Sequence, residues 1–153
     1  MEKRLTGEWK ETTLIPSHGR VTSPMILLFG LGEVREYNSL RLRELSSYLL
    51  ETLRKLNASS ICLSLPYEEN YNVDCGKLAE VLLEGFADCL DLNQYRFDEE
   101  WIKGLRIFFA EGERRFSEIL LGVQIAQSIL AGRLKIRIFA PSEKRSSENQ
   151  IIR

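Results

Sequence analysis

Apolar positions along this chain follow two rhythms. Short, mainly apolar runs at residues 25–29 (MILLF), 61–65 (ICLSL) and 105–110 (LRIFFA) have the length of buried strands. Between them, apolar residues recur at helical spacing. Leu42, Leu45, Leu49, Leu53 and Leu56 predict a helix over residues 39–56, with Arg41, Arg43, Glu44, Glu51 and Arg54 on its wet side and Asn57 as its stop. Asp74 is the expected N-cap of a second helix whose buried stripe is Leu78, Leu82, Phe86 and Cys89. A break at 91–93 and the polar segment QYRFDEE separate it from the 105–110 strand. A third helix is expected over 113–131, with Phe116, Leu120, Val123, Ala126 and Leu130 inward and Gly132 at its end.

Two further segments complete the pattern. Residues 8–15 (EWKETTLI) read as a strand closed by a turn at Pro16, Ser17, His18 and Gly19. Near the other end, Leu134, Ile136 and Ile138 alternate with Lys135, Arg137 and Phe139, as in an edge strand. Strands alternating with helices from residue 25 onward imply βαβ units, a mainly parallel sheet and helices on both of its faces. The expectation is one α/β domain over residues 1–141, followed by a flexible polar tail over 142–153.

Composition narrows the functional classes. With 153 residues, 44% hydrophobic and 28% charged, the chain can bury a core of ordinary size. A net charge of −1 gives no broad attraction to nucleic acid or anionic membrane. The apolar runs fall far short of the ~20 residues that span a bilayer, and the opening MEKRLTGEWKE lacks the apolar core of a signal peptide. These features predict a cytoplasmic protein. Cys62, Cys75 and Cys89 are widely spaced and far from the single histidine, His18, so reduced thiols are expected and no metal site.

Catalytic equipment is sparse. The densest acidic group, Asp88, Asp91, Asp98, Glu99 and Glu100, reads as a solvated helix end and loop. His18 beside Ser17 lacks an orienting acid, and Trp9 and Trp101 suit either a core or an interface. No catalytic residue and no cofactor are therefore assigned. The one ligand-binding candidate is the turn after the MILLF strand, Gly30-Leu31-Gly32, with Arg35 beside it to pair with a phosphate. A dinucleotide fingerprint needs a third glycine where Arg35 stands, and no Gly-Lys-Ser/Thr phosphate loop is present. Tight strand-to-helix packing is the competing role for those glycines.

Three stretches together resemble the N-terminal domain of the cytosol (leucyl) aminopeptidase family: ILLFGLGE with the helix after it, LNASSICLSLP, and LAEVLLEGFADCL followed by YRFDEE. The residues that carry the resemblance are Gly30, Gly32, Pro66, Glu84, Gly85, Tyr95, Arg96, Phe97 and Asp98, over roughly residues 8–130. The resemblance implies a three-layer α/β/α sandwich, macro-domain-like, with a mixed, mainly parallel sheet of about five strands. In that family a separate C-terminal domain holds two divalent metal ions and a signature similar to Asn-Thr-Asp-Ala-Glu-Gly-Arg-Leu, which this sequence lacks. The family's opening strand also has no counterpart, and whether the strand LKIRIF fills its place in the sheet is a question for the structure. The functional expectation is a stand-alone, non-catalytic domain acting in protein contact, assembly or regulation, as a homo-oligomer or with a separate catalytic subunit. The alternatives are a macro-like binder of a nucleotide or ADP-ribose-type ligand at Gly30–Gly32, and one subunit of a split aminopeptidase. Some members of the family contact DNA through N-terminal regions; the near-neutral charge here argues against it.

Overall fold

In the computed structural model, residues 5–66, 74–93 and 96–139 are described. The polar stretch 67–72, Tyr95 and the tail 142–153 lie outside the described residues. Among the described residues, four strands and four α-helices follow in the order β1 (Thr12–Pro16), β2 (Met25–Phe29), α1 (Ser39–Lys55), β3 (Ser60–Leu63), α2 (Cys75–Leu92), α3 (Glu99–Gly104), β4 (Arg106–Phe109) and α4 (Glu113–Ile129).

The helix signals act locally as their chemistry dictates. Asn38 caps α1 by accepting from the Arg41 amide at 3.0 Å, and Asp74 caps α2 by accepting from the Lys77 amide at 2.7 Å. Helix α1 ends where Asn57 turns to φ +50°. The Asn57 amide then donates to Arg54 O and the Ala58 amide to Leu53 O, the paired bonds of a Schellman ending. Leu42, Leu45, Leu49 and Leu53 are buried, while Leu56 is exposed. Helix α3 was not expected: Asp98 within QYRFDEE accepts from the Glu100 amide and starts it.

Helix α2 is central. Leu78, Leu82, Phe86 and Cys89 are buried as the spacing predicts, and so are Ala79, Val81, Leu83 and Ala87. It packs between α1 on one side and α4 on the other. Both contacts run through glycines. A Cβ on Gly85 would come within 2.3 Å of Arg43 O, and one on Gly122 within 1.9 Å of Gly76 O, so the backbones meet where a side chain would hold them apart. Of the residues expected inward on α4, Ala126 and Leu130 are buried and Val123 packs half-buried against the core. Ile119, Gly122, Ala126 and Leu130 face inward, whereas Phe116 is exposed.

The sheet differs from the expected one. β1 pairs antiparallel with β2 and β3 parallel with β4, giving two separate two-stranded sheets in place of one sheet of about five strands. Residues 134–139 form no strand, so LKIRIF does not fill a sheet position. Their side chains still alternate between half-buried and exposed. The segment docks by Leu134 and Ile136 against the core, and the Gln127 amide holds Ile136 O at 2.8 Å. Side-chain burial satisfies the alternating pattern without a backbone ladder. Among the described residues, the three long helices lie in one row. Strand residues Leu27, Phe29, Ile61, Leu63, Ile107 and Phe109 pack against the core, while Leu28 and Phe108 on alternate positions are exposed. The expectation of helices on both sheet faces is therefore not met among these elements.

Candidate functional site

The Gly30–Gly32 turn is occupied by the chain itself. The Gly30 amide donates to Glu11 O at 2.7 Å, the Lys10 amide donates to Gly30 O at 3.0 Å, and the Gly32 amide donates to Gly7 O at 3.0 Å. A Cβ on Gly30 would lie 1.8 Å from Glu8 O. Gly32 has φ +73°, a conformation glycine adopts without strain. Residues 7–11 are thus held against the turn by both glycines. Trp9 lies beside Gly32, with the Arg41 guanidinium 4.6 Å from its ring centre and the Lys10 ammonium 5.7 Å away. Arg35 extends into solvent and pairs with Glu33 at 2.5 Å. The structure therefore brings Gly30 and Gly32 together around residues 7–11 and places Arg35 outside that contact.

The acidic group read from the sequence divides in two. Asp98, Glu99 and Glu100 serve α3, the first as its cap and the others as partners of Lys103. Asp88 and Asp91 belong to an ion-pair chain along the solvent side of α2. The Arg43 guanidinium of α1 donates Nε to Asp88 at 2.5 Å, Nη2 to Asp88 at 2.9 Å and Nη1 to Glu84 at 2.6 Å. Arg133, beyond α4, donates to Asp88 at 2.8 Å and to Asp91 at 2.7 Å. The hydrogen bond from Arg43 chiefly, and that from Arg133, hold the Asp88 carboxyl down at about 2 against the cost of burial. Such a carboxylate stays charged and paired at neutral pH, a poor proton donor or acceptor for catalysis.

Other polar candidates are likewise structural. Glu111 accepts from the Leu65 amide at 2.9 Å and from Arg115 at 3.1 Å, tying the end of the β3 segment to the start of α4. Burial pushes the Cys75 thiol up and the Cys89 thiol up to about 11, so neither is an activated nucleophile. His18 sits in an exposed turn with φ +52°. Trp101 donates to Ala58 O at 3.0 Å and stacks on Phe97 at 6.1 Å, which settles it as a packing residue. Among the described residues no three histidine, cysteine or carboxylate side chains gather as metal ligands would.

What the sequence did not single out is apolar. A cavity of about 160 Å³ lies under residues 134–137, lined by Leu83, Phe86, Ile107, Phe109, Leu134 and Ile136 among others. Two sets of exposed apolar side chains also stand out: the strand positions Leu28 of β2 and Phe108 of β4, which belong to different sheets, and Leu121, Ile125 and Ile129 of α4. A signal for the second was present in the sequence. From residue 119 to 132 there is no charged residue, whereas a solvent-facing helix usually carries several.

Comparison with known proteins gives one family. Residues 1–99 of the 153 match the model for "Cytosol aminopeptidase family, N-terminal domain". The match takes in β1, β2, α1, β3 and α2 and ends at the first residue of α3. No curated protein matches the chain.

Proposed function

The chain belongs to the cytosol aminopeptidase family through its N-terminal domain, and we propose that it works as a cytoplasmic, non-catalytic domain in protein contact and assembly. The observation that carries this reading is how ionisable and apolar groups are distributed. Asp88, Asp91, Glu84 and Glu111 are each held by arginines or a backbone amide. Apolar side chains, in contrast, are left uncovered on α4 and at the strand positions Leu28 and Phe108. No described helix is long and apolar enough to cross a membrane.

The assay is hydrolysis of leucyl-p-nitroanilide with added manganese or zinc. No turnover above buffer is expected; metal-dependent turnover that a chelator abolishes would overturn the reading. A thermal-shift series with ADP-ribose separates it from ligand binding at Gly30, Gly32 and Arg35. No stabilisation is expected at millimolar ligand, because the Gly30 and Gly32 amides already donate to the chain's own carbonyls.

A further inference from the structure

The cavity of about 160 Å³ under residues 134–137 draws its walls from all three long helices: Leu50 of α1, Leu83 and Phe86 of α2, and Val123 of α4. Ile107 and Phe109 of β4 complete the apolar lining. Such a hollow holds water poorly, and its walls gain contacts only when something apolar fills it. A cavity of ~150 Å³ holds one benzene ring, so the matching body is a ring or chain of about six carbons. Residues 134–137 are also the way in. Among the described residues, no amide from Lys135 to Phe139 donates to a backbone carbonyl, and the Gln127 amide holds Ile136 O at 2.8 Å. The segment therefore shifts without breaking a ladder.

The charges at the mouth supply the other half of the ligand. Every lining residue is apolar except Lys135 and Arg137, and no carboxylate lines the cavity. Both cations are exposed, so they stand where the cavity opens. Neither makes an ion pair among the described residues, whereas Arg133 just before them is held by Asp88 and Asp91. The alternation along this segment sets Leu134 and Ile136 against the core and the two cations on the rim. We propose that the cavity binds a small amphipathic carboxylate, with its apolar body among Leu83, Phe86 and Val123 and its head at Lys135 and Arg137. The forked Arg137 guanidinium matches a carboxylate in two parallel bonds. A head that stays at the rim keeps its hydration and buries no charge. An amine with the same body would meet two like charges, so the site discriminates by sign.

The site lies apart from the Gly30–Gly32 turn and goes beyond the assembly reading, which does not require it. Calorimetric titration of the full chain with hexanoate should saturate with a dissociation constant below about 5 millimolar, and hexanoate should raise the melting temperature. Acetate, which has the charge without the body, should do neither. Hexanol, which has the body without the charge, should bind about fivefold more weakly than hexanoate. The double variant Lys135→Gln/Arg137→Gln should remove that preference and leave hexanol binding unchanged. Its melting temperature without ligand should stay near the parent's, since both positions are exposed. Val123→Phe puts a ring into the cavity and should abolish hexanoate binding; Val123→Leu, a smaller intrusion, should weaken it and serves if the larger ring disturbs folding. A flat titration with hexanoate would overturn the proposal. So would equal affinity for hexanoate and hexanol, or a preference for hexanoate that survives the double variant. Binding that both Val123 variants leave unchanged would place the ligand elsewhere and overturn it as well.

Discussion

Helix α2 meets α1 and α4 at two contacts built on the same device and finished differently. At both, a glycine lets backbones touch: Gly85 against Arg43 O, and Gly76 against Gly122. The α1 contact is then clamped by polar groups. Arg43 bridges to Glu84 and Asp88, and the Ser47 hydroxyl donates to Gly85 O at 2.7 Å. Along the α4 contact the partners are Ile119, Ala126 and Leu130, and Arg133, past the helix end, bridges to Asp88 and Asp91 of α2. Polar clamps resist sliding and depend on pH; a glycine-to-glycine contact depends on shape alone. One side of α2 is therefore electrostatically tunable, and the other is a steric fit.

Steric changes should break the α4 side hardest. Gly122→Val forces a side chain into Gly76 O and should cost about 3 kcal/mol or more in urea unfolding. Gly132→Ala, with open space around it, is the control and should leave stability unchanged. On the α1 side, Arg43→Ala leaves the carboxylates of Glu84 and Asp88 short of a donor and should cost about 2–3 kcal/mol. Arg43→Lys should recover part of that, because an ammonium replaces the charge but not the forked geometry.

Acid should loosen the bridges that meet at Asp88, from Arg43 of α1 and from Arg133 beyond α4. The Asp88 carboxyl titrates at about 2 in the fold and at about 3.9 when unfolded. Its contribution is therefore fully present above pH ~4 and is lost as pH falls toward 2. The amount is about 2 kcal/mol, and Arg43→Ala should flatten this part of the stability–pH curve. The smallest expected effect is Ser47→Ala, about 1 kcal/mol for one hydrogen bond to a helix carbonyl. If it matched Gly122→Val in size, the division between a clamped and a fitted contact would fail.

The sequence made the helices legible and the sheet much less so. Asn38, Asp74 and Asn57 are local signals, and each acts within a few residues of itself. Strand pairing is not local: nothing in MILLF or ICLSL states which edge each strand meets, and residues 134–139 carry strand alternation without a ladder. The close approach of α4 was hidden for a related reason. Spacing found Ala126 and Leu130 on its inward side, but the closest approach to α2 is made by Gly122, which periodicity of bulky side chains ignores. At the glycine turn, the residue types pointed to close backbone approach. That the approaching segment is residues 7–11 depends on contacts across about twenty positions.

The three thiols give this architecture a built-in record of its own opening. Cys62 is exposed, so a label reaches it without any opening. Cys75 is buried next to Arg115 and Glu118 of α4, whereas Cys89 is buried on the side that feels Glu51 of α1. Alkylation needs thiolate and access, so each buried sulfur becomes a stopwatch for the helix that covers it. The order in which Cys75 and Cys89 take up label in the native protein tells which neighbour leaves α2 first.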